Sequence, residues 1–135
     1  MYNNRERSGP LADRLRFFSG IAMFVLIVED HSDTCRVLGL LLNRCGCRTA
    51  TVKNARDARL LIQEMRFDFL ITDLDLPDGD GLDLVREAKR KQKLKAIAVT
   101  GRSAPEERLA GLEAGFDFYL TKPIDFHELR QAISG

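Results

Sequence analysis

Short apolar runs, each closed by a polar residue, are the feature of this chain that most constrains its fold. Four of them are clear, at residues 24–28, 69–72, 96–99 and 118–121. Runs of this length, bounded by polar segments and separated by stretches of helical periodicity, are typical of buried parallel strands. Residues 48–52 alternate between polar and apolar side chains and indicate a further strand. The sequence therefore predicts five strands.

Helical patterns occupy the stretches that follow the strands. Ser32 or Asp33 can cap the first helix and Asn54 the second, because short polar side chains accept hydrogen bonds from the free amide groups at a helix start. The third helix is predicted at about residues 82–91, and the fourth begins near Pro105, a residue well suited to a first turn. Strands that alternate with helices predict an α/β fold, in which right-handed crossovers place helices on both faces of a parallel sheet.

The number of units predicts the strand order. Five strand–helix units fit a flavodoxin-like, doubly wound parallel sheet with strand order 2-1-3-4-5. In this order the winding reverses between strands 1 and 3, and ligands bind in the crevice at the carboxyl ends of the strands. Polar residues that end four of the strands are brought to that one edge: Glu29, Asp30, Asp73, Thr100 and Lys122.

This set of side chains suits a divalent cation and a phosphoryl group. Three crowded carboxylates repel one another unless a cation compensates their charge, and Mg²⁺ is the usual cation for such a set. Lys122 adds a positive charge, and the Thr100 hydroxyl can donate to a phosphate oxygen. Phosphoryl transfer depends mainly on positioning and charge neutralisation. A carboxylate can form an acyl phosphate, so Asp73 is the predicted nucleophile.

The composition narrows the class of protein. The 135 residues are enough for about one domain with a single core. Lys and Arg number 21 against 20 Asp and Glu, so no excess charge points to nucleic acid or to an anionic membrane. The longest apolar run, at residues 21–28, is too short to span a bilayer. We therefore expect a cytoplasmic protein that binds neither nucleic acid nor membrane.

The cysteines and histidines show no metal-binding pattern of their own. Cys35, Cys45 and Cys47 are odd in number and lack a ligand spacing, so reduced thiols of a cytoplasmic protein are expected. His31 and His127 have no partner that would make either a base or a ligand. Both histidines are expected on the surface.

The chain is predicted to divide into an N-terminal extension, residues 1–22, and one domain, residues 23–135. We expect the extension to be flexible, although its weak helical pattern leaves a helix that docks to a partner as an alternative. Thirteen residues follow Lys122 (135 minus 122), enough for one helix. No output domain is therefore expected.

Four spaced motifs resemble the receiver domains of response regulators. Residues 73–81, DLDLPDGDG, are similar to the family signature D-x-x-(M/L)-P-x-x-D-G. Residues 25–30, VLIVED, resemble the family's first strand and acidic pair, and residues 99–101, VTG, resemble its hydroxyl strand. Residues 119–123, YLTKP, resemble its last strand. The resemblance covers about residues 24–134, with the motifs in the family's order.

The resemblance implies a phosphorylation site. Asp73 would be the phospho-acceptor. Mg²⁺ would be held by Glu29, Asp30, the Asp73 carboxylate and the backbone carbonyl of Asp75. The acidic pair is Glu-Asp where Asp-Asp is commoner, so Glu29 is expected to reach the metal through water. Lys122 would pair with the acyl phosphate.

The resemblance also implies a conformational switch. The Thr100 hydroxyl would move to the phosphoryl group, and the Tyr119 ring would turn into the space that it leaves. A cis peptide bond between Lys122 and Pro123 is implied as well. The signal would leave through the fourth helix, fifth strand and fifth helix, a face expected to include Glu106, Glu107, Phe118, Tyr119 and Phe126.

The predicted function is that of a phosphorylation-dependent switch, which is not an enzyme beyond catalysing its own phosphorylation and dephosphorylation. A histidine kinase or a phosphotransfer protein would supply the phosphoryl group. An unknown downstream protein would receive the signal, and a homodimer could form through the same face.

Two other interpretations stay open. One is a receiver-like interaction module that is never phosphorylated. The other is a haloacid-dehalogenase-like phosphatase with Asp73 as nucleophile and Asp75 as general acid, because residues 71–75, ITDLD, resemble that nucleophile strand. That family expects the motif on its first strand. An EF-hand is rejected, because Pro77 takes a ligand position and Asp78 the position that needs glycine.

Arg102, two residues after Thr100, is a departure from the common pattern of the family. We expect its side chain to span the mouth of the site and to pair with Asp75. Such a pair would shield the acyl phosphate from attacking water.

Overall fold

A central parallel sheet forms the middle layer of the protein. The structure, a computed structural model, describes residues 22–134, so the predicted extension lies outside the described residues except for Ala22. The sheet order is β2-β1-β3-β4-β5, all parallel, which confirms the predicted order. The strands are β1 (Phe24–Val28), β2 (Arg48–Val52), β3 (Phe69–Thr72), β4 (Lys95–Thr100) and β5 (Phe118–Thr121).

Five helices cover the two faces of this sheet. They are α1 (Ser32–Arg44), α2 (Ala55–Glu64), α3 (Gly81–Lys91), α4 (Pro105–Ala114) and α5 (Phe126–Ser134). Helices α2, α3 and α4 pack on one face, and α1 and α5 pack on the other. None of the helices within residues 22–134 has the length and apolar character needed to cross a bilayer.

The alternation of side chains along each strand produces two cores. In β1, Leu26 and Val28 point into the core beneath α2 and α3, whereas Val25 and Ile27 point into the core beneath α1 and α5. All four side chains are fully buried. A strand buried on both faces is apolar throughout, which is why these runs are continuous in the sequence.

Two local features differ from the sequence predictions. The residue that precedes α1 is His31, and its side chain makes no capping hydrogen bond, so the prediction of a Ser32 or Asp33 cap is wrong. The Asn54 cap is confirmed, because its side chain accepts from the Asp57 amide at 2.8 Å. Between β3 and α3 the chain also forms a small unpredicted hairpin, in which Asp75–Leu76 pairs with Gly79–Asp80.

Candidate functional site

The carboxyl ends of β1 and β3 place two buried carboxylates side by side at the edge of the sheet. The Glu29 amide donates to Val52 O at 3.0 Å, and the Asp73 amide donates to Val28 O at 3.1 Å. Parallel pairing therefore continues one residue beyond each strand, which fixes the backbone positions of Glu29 and Asp73. Glu29 is 1% exposed and Asp73 is 4% exposed.

Lys122 joins these carboxylates from the end of β5. Its ammonium lies 2.7 Å from Glu29 Oε1 and donates to Asp73 Oδ2 at 2.8 Å. Glu29 Oε1 accepts no well-aligned hydrogen bond from the described residues, so its contact with the ammonium is an ion pair without hydrogen-bond geometry. Burial alone lowers the pKa of Lys122, but the hydrogen bond to Asp73 and the negative charges of Asp73 and Glu29 outweigh it and raise that pKa. Lys122 is therefore a fixed positive charge.

The chain around Lys122 is held by backbone contacts. The Lys122 amide donates to Thr100 O at 2.8 Å, which ties the end of β5 to the end of β4. The peptide bond between Lys122 and Pro123 is cis, as the resemblance implied.

A second ion pair, between Asp75 and Arg102, lies beside Asp73. The Asp75 amide donates to Asp73 Oδ1 at 3.1 Å, so Asp75 lies directly beside the predicted nucleophile. Arg102 Nε donates to the two Asp75 carboxylate oxygens at 3.1 and 3.3 Å, and Arg102 Nη2 also donates to Oδ1. This contact confirms the expected pairing of Arg102 with Asp75. The hydrogen bond from Arg102 holds the pKa of Asp75 below its ordinary value of 3.8.

Both predicted switch residues contact the backbone of Arg102. The fully buried Thr100 hydroxyl accepts from the Arg102 amide at 3.3 Å, and the Tyr119 hydroxyl donates to Arg102 O at 2.8 Å. The Tyr119 ring is 3% exposed and fills the space beside Gly111, where a Cβ would lie 2.8 Å from the ring. Whether these groups move on phosphorylation stays a prediction.

His31 belongs to the site, and the prediction that it has no partner is wrong. Its Nδ1 lies 3.1 Å from Glu29 Oε2 and 3.4 Å from Asp30 Oδ1, while its ring stays on the surface as expected. Within residues 22–134, Glu29, Asp30 and His31 are the one group of three potential ligands whose donor atoms all lie within 4.8 Å of one another. The position of His31 directly after the acidic pair was the sequence signal that could have predicted this contact.

The residues at this edge fit a divalent cation. Glu29, Asp30 and Asp73 carry three negative charges, and Lys122 is the cation that contacts two of them. Carboxylate oxygens are the ligands that Mg²⁺ prefers. Glu29 Oε1 has no aligned hydrogen-bond donor among the described residues, which leaves it a lone pair for a metal or a metal-bound water.

The chain matches the family model described as the response regulator receiver domain over residues 25–134. It is 34% identical over 110 residues to the response regulator protein PilR of Pseudomonas aeruginosa. That alignment covers 81% of this chain and 25% of PilR, so the chain spans about a quarter of the length of that relative.

Solved structures of receiver domains have the same fold. The signal receiver domain of a signal transduction histidine kinase from Syntrophus aciditrophicus is 32% identical, with a TM-score of 0.74, over 83% of this chain and 87% of that one. The receiver domain of the sensor histidine kinase PA1611 from Pseudomonas aeruginosa PAO1 is 29% identical, with a TM-score of 0.74, over 84% of this chain and 94% of that one. The latter has a magnesium ion coordinated in its active-site cleft.

Proposed function

This chain belongs to the response regulator receiver domain family of two-component signalling, and from that membership we propose that it is a switch operated by phosphorylation of Asp73. A histidine kinase or a phosphotransfer protein supplies the phosphoryl group from a phosphohistidine. The observation that carries the proposal is the Lys122 ammonium, held 2.7 Å from Glu29 Oε1 and 2.8 Å from Asp73 Oδ2. This arrangement fixes a positive charge at the atom that would receive the phosphoryl group.

The transfer needs little from the protein beyond orientation and charge. An Asp73 carboxylate oxygen forms the new bond to phosphorus as the bond from phosphorus to the imidazole nitrogen breaks, and that nitrogen keeps the electron pair. The Asp75 amide and the Lys122 ammonium each hold one oxygen of the Asp73 carboxylate, which orients it for attack. Mg²⁺ bound by Glu29, Asp30, Asp73 and the Asp75 carbonyl would neutralise charge on the phosphoryl oxygens. The magnesium in the PA1611 receiver supports this choice of ion.

The signal leaves through the face formed by α4, β5 and α5. The Thr100 hydroxyl exchanges the Arg102 amide for a phosphoryl oxygen, which frees the Arg102 backbone that also holds Tyr119. A downstream protein, or a second copy of the chain, then binds the altered face. Leu109 and Leu112 of α4 are 57% and 46% exposed and offer apolar contact there. A cytoplasmic location is part of this proposal.

The two alternative functions are less well supported. A phosphatase would need Asp75 as a general acid, but the bond from Arg102 lowers the pKa of Asp75 and keeps it ionised. Burying two carboxylates and an ammonium costs free energy even when they are paired. A module that is never phosphorylated would gain nothing from burying Glu29, Asp73 and Lys122 together.

The proposal is tested by incubating the chain with acetyl phosphate and Mg²⁺ and measuring its intact mass. We expect one phosphate adduct on the wild type and none on Asp73→Asn. The control Asp83→Asn, which removes an exposed carboxylate of α3 bonded to Arg86, should keep the adduct. A wild type without an adduct, or an adduct that persists in Asp73→Asn, would contradict the proposal.

A further inference from the structure

An imidazole lies against the acidic pair of this site. His31 Nδ1 is 3.1 Å from Glu29 Oε2, and the His31 amide donates to the same oxygen at 3.3 Å. The Glu29 side chain is 2% exposed, whereas the His31 side chain is 65% exposed. The His31 ring is therefore largely exposed to solvent, while its Nδ1 contacts the buried carboxylate of Glu29.

The distances from His31 Nδ1 to its two carboxylate neighbours match adjacent positions in one coordination shell. Bonds of about 2.1 Å from a metal to nitrogen or oxygen place neighbouring ligands about 3.0 Å apart in an octahedron and about 3.4 Å apart in a tetrahedron. His31 Nδ1 lies 3.1 Å from Glu29 Oε2 and 3.4 Å from Asp30 Oδ1. Both separations are therefore those of adjacent ligands around a single ion.

The buried carboxylate supplies a second, independent reason to expect an ion. Glu29 is 1% exposed, yet its Oε1 accepts no aligned hydrogen bond within the described part of the chain. Lys122 provides one positive charge, which it shares between Glu29 and Asp73. Two buried carboxylates that share one ammonium carry a net negative charge, which a further cation would compensate.

We propose that His31 is a ligand of the site's metal ion, and that its imidazole strengthens the binding of first-row transition ions relative to that of Mg²⁺. The proposal rests on the function proposed above, because it concerns the ion of the same site. Mg²⁺ takes oxygen ligands and gives up its water reluctantly, so an imidazole adds little to its binding. Ions such as Co²⁺ and Zn²⁺ bind imidazole nitrogen well, so the imidazole strengthens their binding.

On binding of the ion, the His31 ring exchanges its contact with Glu29 for a bond from the Nδ1 lone pair to the metal. The ring proton is then carried by Nε2, which the exposed position of the ring leaves open to water. The Glu29 Oε2 atom released from the imidazole becomes available to the same ion or to a water bound to it.

The test is a calorimetric titration of the full chain with Co²⁺ and, separately, with Mg²⁺. The variants are His31→Ala and the matched control His127→Ala, which removes the chain's other histidine, from α5. We expect the ratio of Co²⁺ affinity to Mg²⁺ affinity to fall about tenfold or more in His31→Ala and to stay unchanged in His127→Ala. An unchanged ratio in His31→Ala would overturn the proposal.

Cys35 must be tested as a competing soft ligand, because its Sγ donates to Glu29 O at 3.0 Å. In Cys35→Ser the ratio of the two affinities should stay at the wild-type value. If this ratio fell in Cys35→Ser and stayed unchanged in His31→Ala, the metal preference would belong to the thiol and the proposal would be overturned.

Failure of this inference is distinguishable from failure of the proposed function. Phosphorylation of wild-type Asp73 with Mg²⁺ alone, combined with an unchanged metal preference in His31→Ala, would contradict the histidine ligand and leave the switch intact. Absence of phosphorylation with every ion would contradict the switch, while the affinity ratio would still report on His31.

Discussion

Gly81 lies so close to the backbone of Asp73 and Leu74, directly after β3, that no side chain fits there. A Cβ at this position would lie 2.9 Å from Leu74 Cα and still closer to Asp73 O, and neither atom can move without displacing the loop. We predict that Gly81→Ala lowers the free energy of unfolding by about 1–3 kcal/mol, measured by urea denaturation. Gly79→Ala is the control, because its Cβ would meet only Ala55 Cβ, at 3.8 Å. Equal stability of the two variants would contradict this account.

Arg102 controls access to the phosphorylated carboxylate in our account. Its side chain bridges to Asp75, which is bonded through its amide to Asp73, and from this position we infer that it shields the acyl phosphate from attacking water. We predict that Arg102→Ala speeds loss of the phosphoryl group about threefold or more, equivalent to about 0.6 kcal/mol in the barrier. The measurement is the decay of the phosphate adduct by intact mass. Arg86→Ala, which removes an exposed arginine of α3, should leave the decay rate unchanged.

The same ion pair makes a prediction about pH. The hydrogen bond from Arg102 lowers the pKa of Asp75 below 3.8, so the contact's contribution to stability is fully present above that value. It is lost as the pH falls through the lower pKa of the folded state. A carbon-13 NMR titration of the Asp75 carboxyl should give a midpoint below 3.8, and Arg102→Gln should raise it. A midpoint that Arg102→Gln leaves unchanged would show that Arg102 is not the cause.

At the scale of elements, a buried glutamine fastens the end of α3 to the last turn of α2 and to the loop between α2 and β3. Gln92 Oε1 accepts from the Phe67 amide at 2.8 Å, and its Nε2 donates to Ile62 O and Met65 O at 3.0 and 2.9 Å. Gln92 is 7% exposed, so these backbone groups have little access to water.

We predict that Gln92→Leu lowers the free energy of unfolding by at least about 2 kcal/mol, because each buried polar group left unsatisfied costs about 1–3 kcal/mol. The control Gln63→Leu changes an exposed side chain of α2 and should shift stability by less than about 0.5 kcal/mol. The free energies of unfolding of both variants are measured by thermal or urea denaturation. Similar losses in the two variants would refute the role given to Gln92.

The strands and their order were predictable because buried parallel strands are apolar on both faces, and four such runs and one alternating stretch, residues 48–52, are interspersed with helical patterns. The hairpin of Asp75–Leu76 and Gly79–Asp80 was not predictable, because strands of two residues carry no periodicity. The Ser32 or Asp33 cap failed because the chain enters α1 at His31, whose ring turns to Glu29 and makes no capping bond. A local contact between side chains two residues apart therefore accompanies this helix start, in place of a capping bond.

At the scale of the whole molecule, the fold gathers side chains that are far apart in sequence. Glu29 and Lys122 are separated by 93 positions (122 minus 29), yet their charged atoms lie 2.7 Å apart. Most of the site was predictable because polar residues at the carboxyl ends of parallel strands must share one edge. The contact of His31 with Glu29 was missed, because it depends on how the loop after β1 turns, which no strand pattern determines.

We propose that this convergence makes Asp73, among all the carboxylates of the edge, the one that accepts a phosphoryl group. The most direct test is to treat the chain with acetyl phosphate and Mg²⁺, reduce the acyl phosphate with borohydride to homoserine, and locate the homoserine by peptide mass spectrometry. We predict homoserine at position 73 alone. Homoserine at position 30 or 75, 5-hydroxynorvaline at the glutamate of position 29, or a phosphate adduct that yields no reduced residue would contradict the prediction.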